Sequence, residues 1–75
     1  MTKQQKETFA RNLRIAAASE GLLQRELAAD LGTNQTTISR IYTGERTATF
    51  EIVLAAAKRF GTTVEQIINE PFADI

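Results

Sequence analysis

The chain has 75 residues, nine basic and nine acidic side chains, and neither His nor Cys. That length allows one small core, and the two missing residue types exclude disulfides, zinc–thiolate sites, thiol nucleophiles and the commonest general base. Charge is nonetheless uneven: residues 1–50 hold seven basic against five acidic side chains and residues 51–75 two against four, so the halves carry +2 and −2.

Taken in chain order, every segment between the glycines has helical period and none alternates like a half-buried strand. The first helix is expected over 3–20, with Phe9, Leu13, Ala16 and Ala17 as its core stripe and Gly21 as its stop. Ile15 lies about 200° round from Leu13, an isolated exposed apolar residue or part of a partner surface. A second helix over 24–31 carries Leu27, Ala28 and Leu31 and stops at Gly32. Asn34 can cap a third over 35–43, whose Ile38 and Ile41 share one side. Thr49 opens a fourth over 50–60, expected to bury Phe50, Val53, Leu54, Ala57 and Phe60 before Gly61 stops it. Thr63 and Gln66 form a capping box for a fifth over 64–69, which Pro71 ends. The expected fold is all-α, a compact five-helix bundle forming a single domain over residues 1–75. No apolar run reaches the ~20 residues of a membrane span and the opening TKQQKET is no secretory signal, so a soluble cytoplasmic protein is expected.

Residues 24–44, QRELAADLGTNQTTISRIYTG, carry the chemistry. They describe two short helices joined by a tight turn, the second presenting Asn34, Gln35, Thr36, Thr37, Ser39 and Arg40 opposite its apolar side. A hydrogen-bonding helix face backed by a buried partner helix is what reading base edges in a DNA major groove requires.

Residues 9–68 resemble the phage-repressor/Cro (XRE-type) helix-turn-helix family. The resemblance rests on Asn12, Leu13, Arg14, Gly21, Leu22, Gln24, Glu26, Leu27, Ala28, Leu31, Gly32, Gln35, Thr37, Ile38, Ser39, Arg40, Gly44, Arg46, Glu51, Ala57 and Gly61, in order and at the family's intervals. It implies a lambda-repressor-like domain that binds double-stranded DNA without a cofactor or small-molecule ligand. By analogy Asn34, Gln35, Thr36 and Arg40 are the base-contacting residues, and Gln24, Thr37 and Arg46 contact phosphate. Side-chain chemistry agrees, since Asn or Gln can pair twice with adenine, Arg with guanine, and a Thr methyl can pack on thymine.

Departures from the family pattern are equally specific. Leu23 stands where Ser or Thr often caps the second helix, and Ala48 where the loop usually has Pro. Ala17 and Tyr42 occupy positions where many members pair Arg with Glu, so that a polar pair is expected to be replaced by packing.

Ile67, Ile68, Phe72 and Ile75 are more apolar residues than one short terminal helix needs, which makes the tail, 69–75, the expected homodimer segment. The reading is a sequence-specific transcriptional regulator, a small Cro-like phage or prophage repressor reading an inverted-repeat operator. The alternative is a protein-interaction module, an antitoxin or anti-regulator in which DNA binding is secondary. No nucleophile–base pair or cofactor loop points to an enzyme.

Overall fold

A computed structural model of the chain describes residues 1–73. Five helices follow one another as α1 (Lys3–Ser19), α2 (Gln24–Asp30), α3 (Gln35–Thr43), α4 (Phe50–Arg59) and α5 (Val64–Asn69). Three expected helices end one residue early, and in each case the residue given up (Glu20, Leu31 or Phe60) is the C-cap. Among the described residues there is no strand, and no helix is long and apolar enough to cross a membrane.

The helices start where side chains can serve their free amides. The Thr49, Thr63 and Asn34 side chains accept hydrogen bonds from the amides of Ile52, Gln66 and Thr37. At α2 the expected cap is missing, because Leu23 has no side-chain acceptor and is 50% exposed. Half of a capping box survives, with the Leu23 amide donating to Glu26 Oε1 at 2.8 Å.

α1 packs chiefly on α5, and α2 on α3. The expected stripe of α1 is buried throughout, and Phe9, Leu13, Leu27, Ile38 and Ile67 are the large side chains almost wholly removed from water. Each such burial is worth roughly 1.5–3 kcal/mol. α4 is rotated from the expected phase. Ile52, Val53, Ala56 and Ala57 are buried, Leu54 and Phe60 only half-buried, and Phe50 is 65% exposed. Ala48, in the loop just before α4, is buried as well.

Asn12 closes the far end of the bundle. It is fully buried, and its Nδ2 donates to the carbonyls of Ile67 (2.8 Å) and Glu70 (3.0 Å) while its Oδ1 accepts from the Phe72 amide at 2.8 Å. Arg11 adds a bond to the Phe72 carbonyl at 3.1 Å, so the tail is fastened to α1 of its own chain. Ile67 therefore belongs to the core and is unavailable to a partner, a correction to the expected dimer patch. Ile68 and Phe72 are partly buried against the same core, whereas Ile75 lies outside the described residues. Ile15 is half-buried. At the opposite rim, Arg59 pairs with Glu20 at 2.8 Å and with Asp30 at 3.0 Å, joining the ends of α1 and α2 to α4.

Candidate nucleic-acid interface

The turn between α2 and α3 determines what α3 can present. α2 ends with Leu31 as its cap, and Gly32 follows in the left-handed region at φ +72°. The Thr33 amide then reaches back to the Ala28 carbonyl at 2.9 Å, closing a Schellman motif. A Cβ at Gly32 would meet no atom within 4 Å, so the requirement for glycine is conformational and not one of space. The chain emerges at Asn34, whose Oδ1 accepts the Thr37 amide at 2.9 Å and starts α3.

α3 is anchored from behind by Ile38 and Ile41, at 0% and 2% exposure. That anchorage turns Gln35, Thr36 and Arg40 outward, and all three are exposed. Together with Gln24, Ser39 and Glu45 they line one open polar concavity of about 390 Å³. Among the described residues, the side chains of Gln35, Thr36 and Arg40 have no intramolecular hydrogen bond or ion pair. Their donors and acceptors are available to a ligand.

The remaining expected residues separate by position. Gln24, half-buried as the first residue of α2, faces the same concavity. Arg46 is exposed in the loop after α3, outside the concavity's lining, and its amide donates to the Arg40 carbonyl at 3.2 Å. Thr37 is only 6% exposed, which leaves a narrow edge for the phosphate contact expected of it. Asn34 is exposed although its Oδ1 is engaged as the cap.

A helix-turn-helix family model matches residues 11–67, the segment that includes all of this geometry. The chain belongs to the helix-turn-helix family. Two solved structures share its fold. One is the crystal structure of a hypothetical transcription factor, NHTF, from Neisseria, with a TM-score of 0.77 and 23% identity over 88% of this chain and 76% of that one. The other is the clp gene regulator ClgR from Corynebacterium glutamicum, with a TM-score of 0.72 and 22% identity over 84% of this chain and 67% of that one. No curated protein matches the sequence.

Within this helix-turn-helix unit, two features escaped the sequence reading. Glu45 places a carboxylate in the concavity beside Arg40, although no acidic residue lies on α3 itself. A helical period cannot reveal it, because Glu45 comes from the loop that folds back after Gly44. The second is a polar link between α1 and α3. Ala17 is buried as expected, but Tyr42 is not simply packed. Arg14 Nη1 donates to the Tyr42 carbonyl at 2.8 Å, and its guanidinium lies 5.8 Å from the centre of the Tyr42 ring. Burial pushes the Tyr42 hydroxyl above its usual pKa, and the charge of Arg14 works in the opposite sense. The polar link between α1 and α3 is thus made by Arg14, one turn before Ala17, to a main-chain carbonyl.

Proposed function

We propose that this chain is a sequence-specific double-stranded-DNA-binding transcriptional regulator, a small Cro-like repressor of phage or prophage type acting in the bacterial cytoplasm. One observation carries the reading: Gln35, Thr36 and Arg40 stand exposed, with no side-chain partner among the described residues, on a helix whose opposite face is sealed into the core. A surface that only needed solvation has no reason to gather amide, hydroxyl and guanidinium groups on one helix seated for a groove. Membership of the helix-turn-helix family and the likeness to a hypothetical transcription factor and to a clp gene regulator support the same reading.

In this reading Asn34, Gln35, Thr36 and Arg40 meet base edges. Gln24 and Arg46 hold phosphate on either side, with Thr37 adding its exposed edge. The amino end of the nine-residue α3 adds a partial positive charge at the groove. The unit binds as a two-fold dimer on half-sites about 34 Å apart, and the module folds as one domain. With Ile67 inside the core, the dimer surface moves to Ile68 and Phe72 together with Phe50. Phe50, Val64, Ile68, Met1, Ala48 and Val53 line an apolar groove of about 190 Å³ between α4 and α5. That groove also favours the second reading, a protein-interaction module in which DNA binding is secondary.

Selection of binding sites from random duplexes, followed by footprinting, tests the function. An inverted repeat with half-sites one helical turn apart is expected. Failure to enrich any sequence at low salt would overturn the DNA reading and leave the interaction module. Phe50→Glu and Ile68→Glu are expected to reduce cooperative binding while leaving half-site binding intact. Full-operator affinity unchanged in both variants would place the interface elsewhere.

A further inference from the structure

We propose that Arg14 is a positioning residue for sequence reading: it fixes the tilt of the recognition helix α3 from behind, through Tyr42, and touches no DNA itself. The inference rests on the DNA reading above and adds to it a residue outside the interface.

α3 is only nine residues long and its two ends are held differently. At its amino end the Asn34 side chain bonds only the Thr37 amide of the same helix, so it starts α3 without setting its tilt. At its carboxyl end Gly44 turns away in the left-handed region at φ +82°, its amide bonding the Ile41 carbonyl. The Tyr42 carbonyl is one of the last-turn acceptors that a helix leaves without an internal partner. Arg14 takes it at 2.8 Å, places a cation where the helix dipole is negative, and lays its guanidinium over the Tyr42 ring. The hydrogen bond, the charge and the ring contact together allow fewer orientations than the hydrogen bond alone would.

The lever this creates is long compared with the tolerance of base reading. Gln35 and Tyr42 are seven residues apart, roughly 10 Å along the axis. A tilt of about 10° at the Tyr42 end therefore moves Gln35 by roughly 2 Å, enough to break a bidentate bond to a base edge. Phosphate contacts from flexible side chains and loops tolerate such a shift. Arg14 should consequently govern specific binding and leave non-specific binding alone. Arg14 is exposed and has no ion pair among the described residues, so its fork is not committed to a second site.

The protein supplies its own reporter, because Tyr42 is the single tyrosine and there is no tryptophan. Three full-length proteins are compared, the wild type, Arg14→Gln and Arg14→Lys, well below their melting temperatures. Each is titrated with the duplex selected by the wild type and with a random duplex, and its tyrosine emission is recorded. Arg14→Gln is expected to lose about tenfold on the selected duplex and less than about twofold on the random one, with altered tyrosine emission. Arg14→Lys, which keeps a cation and a donor, should recover most of the loss. Equal loss on both duplexes would overturn the proposal by making Arg14 a phosphate contact. Undiminished specificity in Arg14→Gln would overturn it by showing α3 to be held elsewhere. A wild type that selects no duplex removes the DNA reading, and this inference falls with it. The first two outcomes leave that reading standing.

Discussion

Two asparagines divide the work of this molecule. Asn12 lies at 0% exposure with both its amide nitrogen and its oxygen bonded to main chain, whereas Asn34 stands exposed at the head of α3 beside Gln35 and Thr36, whose side chains have no partner among the described residues. Among the described residues no buried side-chain nitrogen or oxygen lacks a partner. Buried polar side chains are thus committed to the fold, and the exposed Gln35, Thr36 and Arg40 are among the side chains left free to meet a ligand. A buried polar group costs stability when a bond is missing, while an exposed one costs nothing to leave open and can meet a ligand.

The largest expected effect tests the inner member of that pair. Asn12→Leu leaves the Ile67 and Glu70 carbonyls and the Phe72 amide without their partner, and should destabilise the fold by about 2–4 kcal/mol in a urea melt. A loss below about 1 kcal/mol would mean that the tail has other support. Folded Asn12→Leu protein should keep the wild-type base preference, since nothing at the concavity has changed.

Arg40→Ala is the converse. It should weaken the selected operator by ~1–3 kcal/mol and relax the preference at one symmetric pair of base positions, with the urea midpoint almost unmoved. A uniform loss at every base position would demote Arg40 to a phosphate contact.

The same comparison shows what was legible beforehand. Glycine stops and Thr or Asn caps are local, one-residue decisions, so the five helices could be read directly from the sequence. Contacts made across the fold were not. Asn12 sits inside the Phe9–Leu13 stripe, and an amide at a core position was itself a signal of a buried network; which carbonyls it serves depends on how α5 docks. The expected phase of α4 follows Phe50, which outranks Ala56 in hydrophobicity, whereas close helix packing accommodates the small residue. Gln35, Thr36 and Arg40 share one face as helical spacing implied, and Gln24, singled out only by the family resemblance, lines the same concavity. Glu45 and Arg14 could be found only once loop and helix were placed in space.

A smaller effect concerns Glu45, whose charge opposes phosphate at the edge of the concavity. Glu45→Gln should tighten specific and non-specific binding alike by about 0.5–1 kcal/mol at low salt, and less as salt screens the term. Tightening confined to one operator position would instead give Glu45 a part in base reading. The smallest expected effect concerns the incomplete cap of α2. Leu23→Ser should stabilise the fold by up to ~1 kcal/mol, because Leu23 is half exposed and caps nothing through its side chain. Destabilisation that depends on protein concentration would reveal Leu23 as a subunit contact.

The bonds of Asn12 also set a schedule. Its partners lie 55 to 60 residues further along the chain, so a growing polypeptide exposes α1 long before anything can satisfy it. Synthesis at ~5–20 residues per second leaves that amide waiting several seconds on the ribosome. A nascent chain arrested with residues 1–69 outside the exit tunnel should be cut readily by protease, and one extended past residue 72 should resist. Breakage or premature termination before Phe72 would yield a fragment that still carries α2 and α3 but lacks at least one of the three main-chain partners of Asn12.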